Sequence, residues 1–228
     1  LIVSVINFFL KKKILVLWNI RHTPVKLKDE KFITRFIIYL QIFFSNFVNG
    51  IIYNSIKSKK FHEYLGFKSK NSIMIPNGFQ VDKNSNIQEK KNQLKSKLNL
   101  HEEDVVVGHI GRLHPMKNHK LFIEMAQIIS QKISNVKFVM VGRDVNLQNE
   151  SLKNLIQEMG LEKKFILLDE QQNIDDIYNI INILCVTSKW GESFPNVIAE
   201  AMLNGVPCVT TNIGDAELIV GKNGKVVK

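Results

Sequence analysis

Glu192 and Glu200 stand eight positions apart in KWGESFPNVIAEAMLNGVPCVTT, residues 189–211, and the residues between them suggest what two carboxylates could do there. The loop ends in Pro195, and proline suits a first helical turn because the N–H it lacks would have no partner there. The pattern predicts a helix over 196–203. The start of such a helix exposes unpaired amides and a partial positive charge, which suits a phosphate or other anion against the backbone of Ser193, Phe194, Pro195, Asn196 and Val197. One turn further in, the Glu200 carboxylate can accept hydrogen bonds from the paired hydroxyls of a ribose, and Glu192 in the loop can reach a second polyhydroxyl group. The residue types therefore suit a nucleotide sugar. A bare pair of glutamates at this spacing would favour two solvated side chains on an ordinary loop-helix-strand unit of a Rossmann sheet.

A pair of cations lies upstream in VVVGHIGRLHPMKNHKLFIEMA, residues 105–126. The apolar run 105–110 reads as a buried strand, Gly111 permits a tight exit, and 117–133 reads as an amphipathic helix. Arg112 and Lys117 then fall on a strand-to-helix loop, the position at which open α/β sheets bind ligands. There they can neutralise a diphosphate, Arg through its planar fork and Lys as a point charge. Without further context, such a pair would more often be solvated surface.

With these motifs in view, the chain resembles the retaining glycosyltransferases of the GT-B fold, family 4, whose E-x7-E signature lies in an EGFPxxxxEAMAxGxPVV run. Ser193 stands where that family usually has Gly, and Leu203 and Asn204 where it usually has a small residue and Cys; both carboxylates and the Phe194-Pro195 pair are kept. The GRL-x-x-x-K pattern of Gly111 to Lys117 also matches, and the family uses its Arg and Lys on the donor pyrophosphate. The resemblance thus implies a catalytic group of Arg112, Lys117 and Glu192. It implies a donor-binding set of these three with Gly111, Ser193, Phe194, Pro195, Asn196, Val197 and Glu200.

Positioning these residues takes a parallel sheet. Strands are expected near 105–110, 136–141, 165–168, 183–186 and 206–210, alternating with helices, which argues for a doubly wound α/β domain. The segment SIMIPNGFQVD, residues 72–82, resembles the family's inter-domain junction, and Pro76-Asn77-Gly78 is a turn signal in its own right. A polar, lysine-rich stretch over 84–99 follows. The expected organisation is an acceptor-side domain over 1–80 and a donor-binding domain over 81–228, two Rossmann-like units of GT-B type with the N-terminal one incomplete. Relatives of this kind are much longer, so the resemblance implies a fragment cut at both ends. In the first domain, 13–18 and 50–53 read as strands and 32–48 as a helix whose Phe32, Phe36, Leu40, Phe43 and Phe47 share one face. That face is assigned to the core in preference to a membrane interface, since a span needs about 20 mostly apolar residues.

Charge is uneven: residues 1–100 carry 18 Lys and Arg against 5 Asp and Glu, and the remainder 13 against 16. A basic first half suits peripheral contact with an anionic membrane, with Lys11, Lys12, Lys13, Lys57, Lys59 and Lys60 as candidates, and equally suits a solvated face. Nucleic acid fits the charge, yet no zinc spacing, recognition helix or basic-aromatic module accompanies it. Cys185 and Cys208 read as small hydrophobes in buried strands of a reducing, cytoplasmic protein. On the acceptor side, Asn19 and His22 follow the first strand at the place where the family often carries a histidine.

The mechanism the resemblance implies is transfer of a sugar from a nucleotide diphosphate sugar to a hydroxyl acceptor with retention. The expected location is the cytoplasm, with the inner face of the cytoplasmic membrane as a candidate surface and a lipid-linked glycan as a candidate acceptor. No DxD motif is present, so neither a metal nor another cofactor is expected. The competing readings are a non-catalytic nucleotide-sugar-binding fragment and a GT-B nucleotide-sugar epimerase.

Overall fold

The structure, a computed structural model, describes residues 2–10, 14–24, 27, 31–68, 70–80 and 86–227. They form two contact units: Leu1–Gly78 with Trp190–Pro195 and Ile213–Asp215, and Phe79–Lys189 with Asn196–Asn212 and Ala216–Lys228.

The first unit runs α1 (Ile2–Phe9), β1 (Leu17–Ile20), α2 (Phe32–Ser45), β2 (Gly50–Tyr53), α3 (Ile56–Tyr64) and β3 (Ser72–Met74). Its three strands pair in parallel in the order β1-β2-β3, with Leu17 opposite Gly50 and Ile51 opposite Ser72. The first strand starts later than the apolar run 13–18 predicts. Val16 exchanges bonds with Asn49, its N–H donating to the Asn49 side chain and its carbonyl accepting from the Asn49 N–H, so the ladder opens at Leu17; Lys13 lies outside the described residues.

The helix α2 corrects a second expectation. Phe32, Phe36, Phe43 and Phe47 are exposed, Phe32 to 80% and Phe43 to 60%, while Ile38 and Ser45 are buried. Ile38 packs with Val16, Val48, Ile51, Tyr53 and Phe67, and Ile42 lies partly buried against the same cluster. Apolar side chains occur all round this helix, so periodicity alone does not select the inward face. Among the described residues, no helix is long and apolar enough to cross a membrane.

Capping at α3 reaches far along the chain. Ser55 accepts from the Ser58 N–H, and the buried Asp215 carboxylate accepts from the N–H groups of Ile56 (2.6 Å) and Lys57 (2.9 Å). A carboxylate here satisfies orphan donors and opposes the positive end of the helix dipole. Of the lysines proposed as a membrane patch, Lys59 donates to the Ser72 carbonyl and lies 3.9 Å from Glu63. Lys11, Lys12 and Lys13 lie outside the described residues.

The second unit runs α4 (Ile87–Lys97), β4 (Val105–Ile110), α5 (His119–Ser130), β5 (Val136–Val141), α6 (Glu150–Glu158), β6 (Phe165–Leu168), α7 (Ile174–Ile180), β7 (Ile183–Val186), α8 (Asn196–Leu203), β8 (Cys208–Thr211), α9 (Ala216–Val220) and β9 (Gly224–Val227). The lysine-rich stretch 84–99 thus contains a helix, and its part over 84–85 lies outside the described residues. All neighbouring strands are parallel, in the order β6-β5-β4-β7-β8-β9. Strand order reverses between β4 and β7, which in doubly wound sheets marks the ligand crevice. The continuous apolar runs of β4 and β5 are what strands covered on both faces require. His119, Phe122, Ile123 and Ala126 form the buried stripe of α5, and Phe122 meets edge-on the stacked rings of Phe138 and Phe165. Helix α5 begins two residues later than the pattern predicts, because Pro115–Lys117 forms a 3-10 turn and Asn118 turns left-handed at φ 54°. The last predicted strand shifts to Cys208–Thr211; Pro207 has no N–H for the ladder and contributes only its carbonyl, to Leu184.

Candidate active site

In the second unit the cation loop leaves β4 at Gly111, whose N–H donates to Val141 at 2.8 Å and extends the ladder by one residue. A Cβ on Gly111 would lie 3.1 Å from Cδ, 3.2 Å from Cε and 3.3 Å from Cγ of Lys117, so the lysine stem rests directly on the glycine. Gly142, at φ +150°, approaches so closely that a side chain there would collide with the Gly111 carbonyl. The loop backbone is held from β7: the Thr187 hydroxyl lies 2.9 Å from the Lys117 carbonyl and 3.1 Å from that of Asn118, and the Lys189 N–H donates to Met116 at 2.8 Å. His114 caps the 3-10 turn, its Nδ1 accepting from the Met116 N–H.

Two buried histidines underlie this loop. His119 places Nε2 3.2 Å from the Gly111 carbonyl; a carbonyl only accepts, so Nε2 carries the proton. Burial pushes its pKa down to about 4, against the hydrogen bond to Gly111, and the charge of Lys117 adds to the fall. His109, with its ring 4.7 Å from that of His119, has Nδ1 3.0 Å from the Cys185 carbonyl. Burial first, then His119, pushes His109 down to about 3. Both imidazoles are therefore neutral at pH 7, and the positive charge on this loop comes from Arg112 and Lys117.

Arg112 and Lys117 line an open concavity of about 490 Å³ with Gly111, Met116, Gly142 and Arg143, the carboxyl ends of β4 and β5, and Glu170, Gln171 and Ile174. Glu170 pairs with Arg143 at 3.5 Å on the rim, where both are exposed. Asp169 instead binds its own loop, accepting from the N–H groups of Glu170 and Asp144 and from Asn146; these bonds, that of Glu170 first, lower its pKa.

Glu200, on α8, does not line that concavity. It borders a separate cavity of about 60 Å³ with Phe79, Gln80, Lys90, Asp175 and Asp176 among its walls. Its Oε2 accepts from the Tyr178 hydroxyl at 2.8 Å. Tyr178 is buried, and burial together with the Glu200 charge drives its phenol well above the ordinary range. Asn196 opens α8 directly after Pro195, and Val197 follows half-buried.

Glu192, Ser193, Phe194 and Pro195 group with the first unit. Ser193 is 3% exposed; its hydroxyl donates to the Arg21 carbonyl at 3.1 Å and lies 2.7 Å from the Thr23 hydroxyl. Its carbonyl accepts from the Asp215 N–H at 2.9 Å, and a side chain on Gly214 would collide with that carbonyl. The serine that replaces the family's usual glycine thus ties the Glu192 loop to the exit of β1. Of the two acceptor-side candidates, Asn19 lies exposed within β1, and His22 lies beyond it with an exposed ring and a carbonyl accepting from Ser58 at 3.3 Å. Thr23, Tyr178 and Asp215 were not among the residues singled out from sequence; their partners lie 170, 22 and about 159 positions away, and no local pattern signals such pairs.

A doubly wound parallel sheet with a cationic loop at its strand-order reversal, joined in sequence to a second parallel sheet, defines an α/β architecture of GT-B type. The sequence pattern of the family described as Glycosyl transferases group 1 matches residues 90–227, and the chain belongs to that family. An uncharacterized glycosyltransferase of Methanocaldococcus jannaschii is 28% identical over 201 residues, which cover 86% of this chain and 48% of that protein. The UDP-Gal:alpha-D-GlcNAc-diphosphoundecaprenol alpha-1,3-galactosyltransferase of Escherichia coli is 32% identical over 149 residues, 64% of this chain and 38% of that one. Among solved structures, HepE of Anabaena in complex with UDP-glucose superposes with a TM-score of 0.82 at 24% identity, over 99% of this chain and 61% of that one. The chain therefore spans about half the length or less of these curated relatives.

Proposed function

We propose that the protein carrying this chain transfers a hexose from a nucleotide diphosphate sugar to a hydroxyl acceptor, with retention of anomeric configuration and without a metal. The observation that supports this most is the cationic loop: Lys117 laid across Gly111 and Arg112 beside it, at the carboxyl end of β4 where strand order reverses. Departure of a nucleoside diphosphate places its bonding electron pair on a phosphate oxygen. Preorganised cations can stabilise that growing charge without reorganisation at the moment of reaction. Glu200 takes the ribose hydroxyls in this reading, Glu192 the sugar hydroxyls, and the backbone from Ser193 to Val197 a phosphate. Asn19 and His22 are the acceptor-side candidates.

The acceptor class favoured is a lipid-linked glycan in cell-surface polysaccharide or glycolipid synthesis, met in the cytoplasm at the inner face of the membrane through the basic first half of the chain. The name of the Escherichia coli relative, with a diphosphoundecaprenol acceptor, supports that choice. UDP-glucose and UDP-galactose are the first donors to test, since UDP-glucose is held by the Anabaena neighbour and UDP-Gal stands in the relative's name.

The test is mass spectrometry of the complete gene product with UDP-, GDP- and ADP-hexoses and a short undecaprenyl-diphosphate glycan, with and without EDTA. The expected result is one glycosylated product with its new linkage in the donor's anomeric configuration, formed equally in chelator. Strict dependence on magnesium or manganese, or inversion of the linkage, would refute the mechanism; absence of nucleotide binding would refute the reading altogether.

A further inference from the structure

The reading of Glu200 as the ribose ligand leaves open what aims its carboxylate, and the cradle around this side chain is built by two elements. From α7, Tyr178 donates its hydroxyl to Glu200 Oε2 at 2.8 Å, with the Val197 carbonyl a weaker alternative acceptor at 3.4 Å. The main-chain carbonyl of Glu200 accepts from Asn204 twice, from its N–H at 3.2 Å and its Nδ2 at 3.0 Å, and the same Nδ2 lies 3.2 Å from Asp175 Oδ1 on α7. Backbone and side chain of Glu200 are thus fixed by separate groups. Asn204 stands where the resembled family usually has Cys, whose thiol could not make the two Nδ2 bonds.

We infer that Tyr178 is a positioning residue: its hydroxyl fixes one oxygen of the Glu200 carboxylate so that the remaining lone pairs are presented to the vicinal hydroxyls of the donor ribose. This rests on the proposed role of Glu200. The ring of Tyr178 is 1% exposed, so its hydroxyl is withdrawn from water and needs a protein acceptor. A phenol carries a single proton and a carboxylate offers about four acceptor sites, so one bond to Tyr178 leaves enough for a diol. A glutamate free to rotate would lose side-chain entropy on binding the ribose, and the tyrosine bond incurs that loss in the unliganded fold.

The test compares affinities of UDP, GDP and ADP with those of their 2′-deoxy counterparts by calorimetry on the complete gene product, its E200A variant and its Y178F variant, with melting temperatures alongside. Phenylalanine keeps the ring volume, so folding should be retained. The wild type should favour the ribonucleotide by roughly ten- to a hundredfold, and E200A should abolish that preference. Y178F should reduce it by about fivefold while leaving deoxynucleotide affinity in place. Should E200A abolish the preference while Y178F keeps it whole, or weaken both nucleotides equally, Tyr178 is packing only and the inference is overturned. Should the wild type bind none of the nucleotides, bind them without a ribose preference, or retain that preference in E200A, the assignment of Glu200 falls first and takes the inference with it.

Discussion

Replacing Gly111 with alanine adds one methyl at the most sensitive point of the cation loop. The φ of Gly111 lies outside the left-handed region, so alanine is tolerated by the backbone. Its Cβ would meet Lys117 at 3.1 to 3.3 Å, closer than ordinary contact, and the neighbour that must yield is a flexible stem rather than backbone. Folding should change little, whereas the ammonium must move. An ammonium about 4 Å from a unit phosphate charge contributes roughly 4 kcal/mol at an effective dielectric of about 20, and at about 5 Å roughly 3.3 kcal/mol. The loss of about 0.8 kcal/mol corresponds to about fourfold weaker diphosphate binding. Calorimetry with UDP would measure it in the wild type, G111A, K117A and the double variant. In K117A there is no ammonium to displace, so G111A should then have no effect; two sites that touch are expected to be coupled in this way. An undiminished effect of G111A in the K117A background, or a fall in melting temperature in proportion to the loss of affinity, would show that the glycine serves the strand and not the lysine.

Arg112→Ala and Lys117→Ala should each reduce turnover on the order of a hundredfold with little change in melting temperature, since they act on charge that grows as the leaving group departs; equal losses of stability and rate would mark them as structural. Ser193→Gly removes the hydroxyl shared by Arg21 and Thr23 and should cost about 1 to 2 kcal/mol in urea denaturation. Thr23→Val should be costly in the wild type and nearly neutral beside Ser193→Gly, and simple additivity would contradict the pairing. Stability should fall in acid through His109 and His119. Their folded pKa values of about 3 and about 4 lie below the ordinary 6.5, so the unfolded chain binds protons first; stability is whole above pH 6.5 and is lost as pH falls toward 4. At pH 5 each should cost on the order of 2 kcal/mol, and a urea midpoint flat from pH 7.5 to 5 would refute the burial argument.

What could be read in advance depended on whether the determining interaction is local. β4, β5 and β7 fall where the apolar runs place them, because strands buried along most of their length leave an uninterrupted hydrophobic signature, and the half-buried edge strand β6 is apolar throughout as well. Arg112 and Lys117 share a concavity, as their loop between β4 and α5 requires. The inward face of α2 was not legible, since aromatic and aliphatic residues surround it and only the neighbouring sheet selects Ile38 and Ile42 over Phe36 and Phe43. Nor was the true start of β1, which turns on Asn49 bonding to Val16 from 33 residues away.

The same contrast runs through the E-x7-E segment itself. Read as a string, it is one motif over residues 192–200, yet contacts assign its loop to the first unit and its helix to the second. Ser193 explains why. A serine at a position that glycine could fill is unremarkable in sequence, but here its hydroxyl is buried against Arg21 and Thr23 while its carbonyl holds Asp215, which in turn caps α3. The backbone next to Glu192 is therefore tied through Ser193 to the segment after β1 and to the Asp215 that caps α3, whereas Glu200 is held by Tyr178 and Asn204. The motif supplies the carboxylates, and Tyr178, 22 residues from Glu200, fixes one oxygen of the second. Variants at Tyr178 and at Thr23 should consequently act on the two ends of the motif separately, Y178F on the Glu200 carboxylate and T23V on the Ser193 loop.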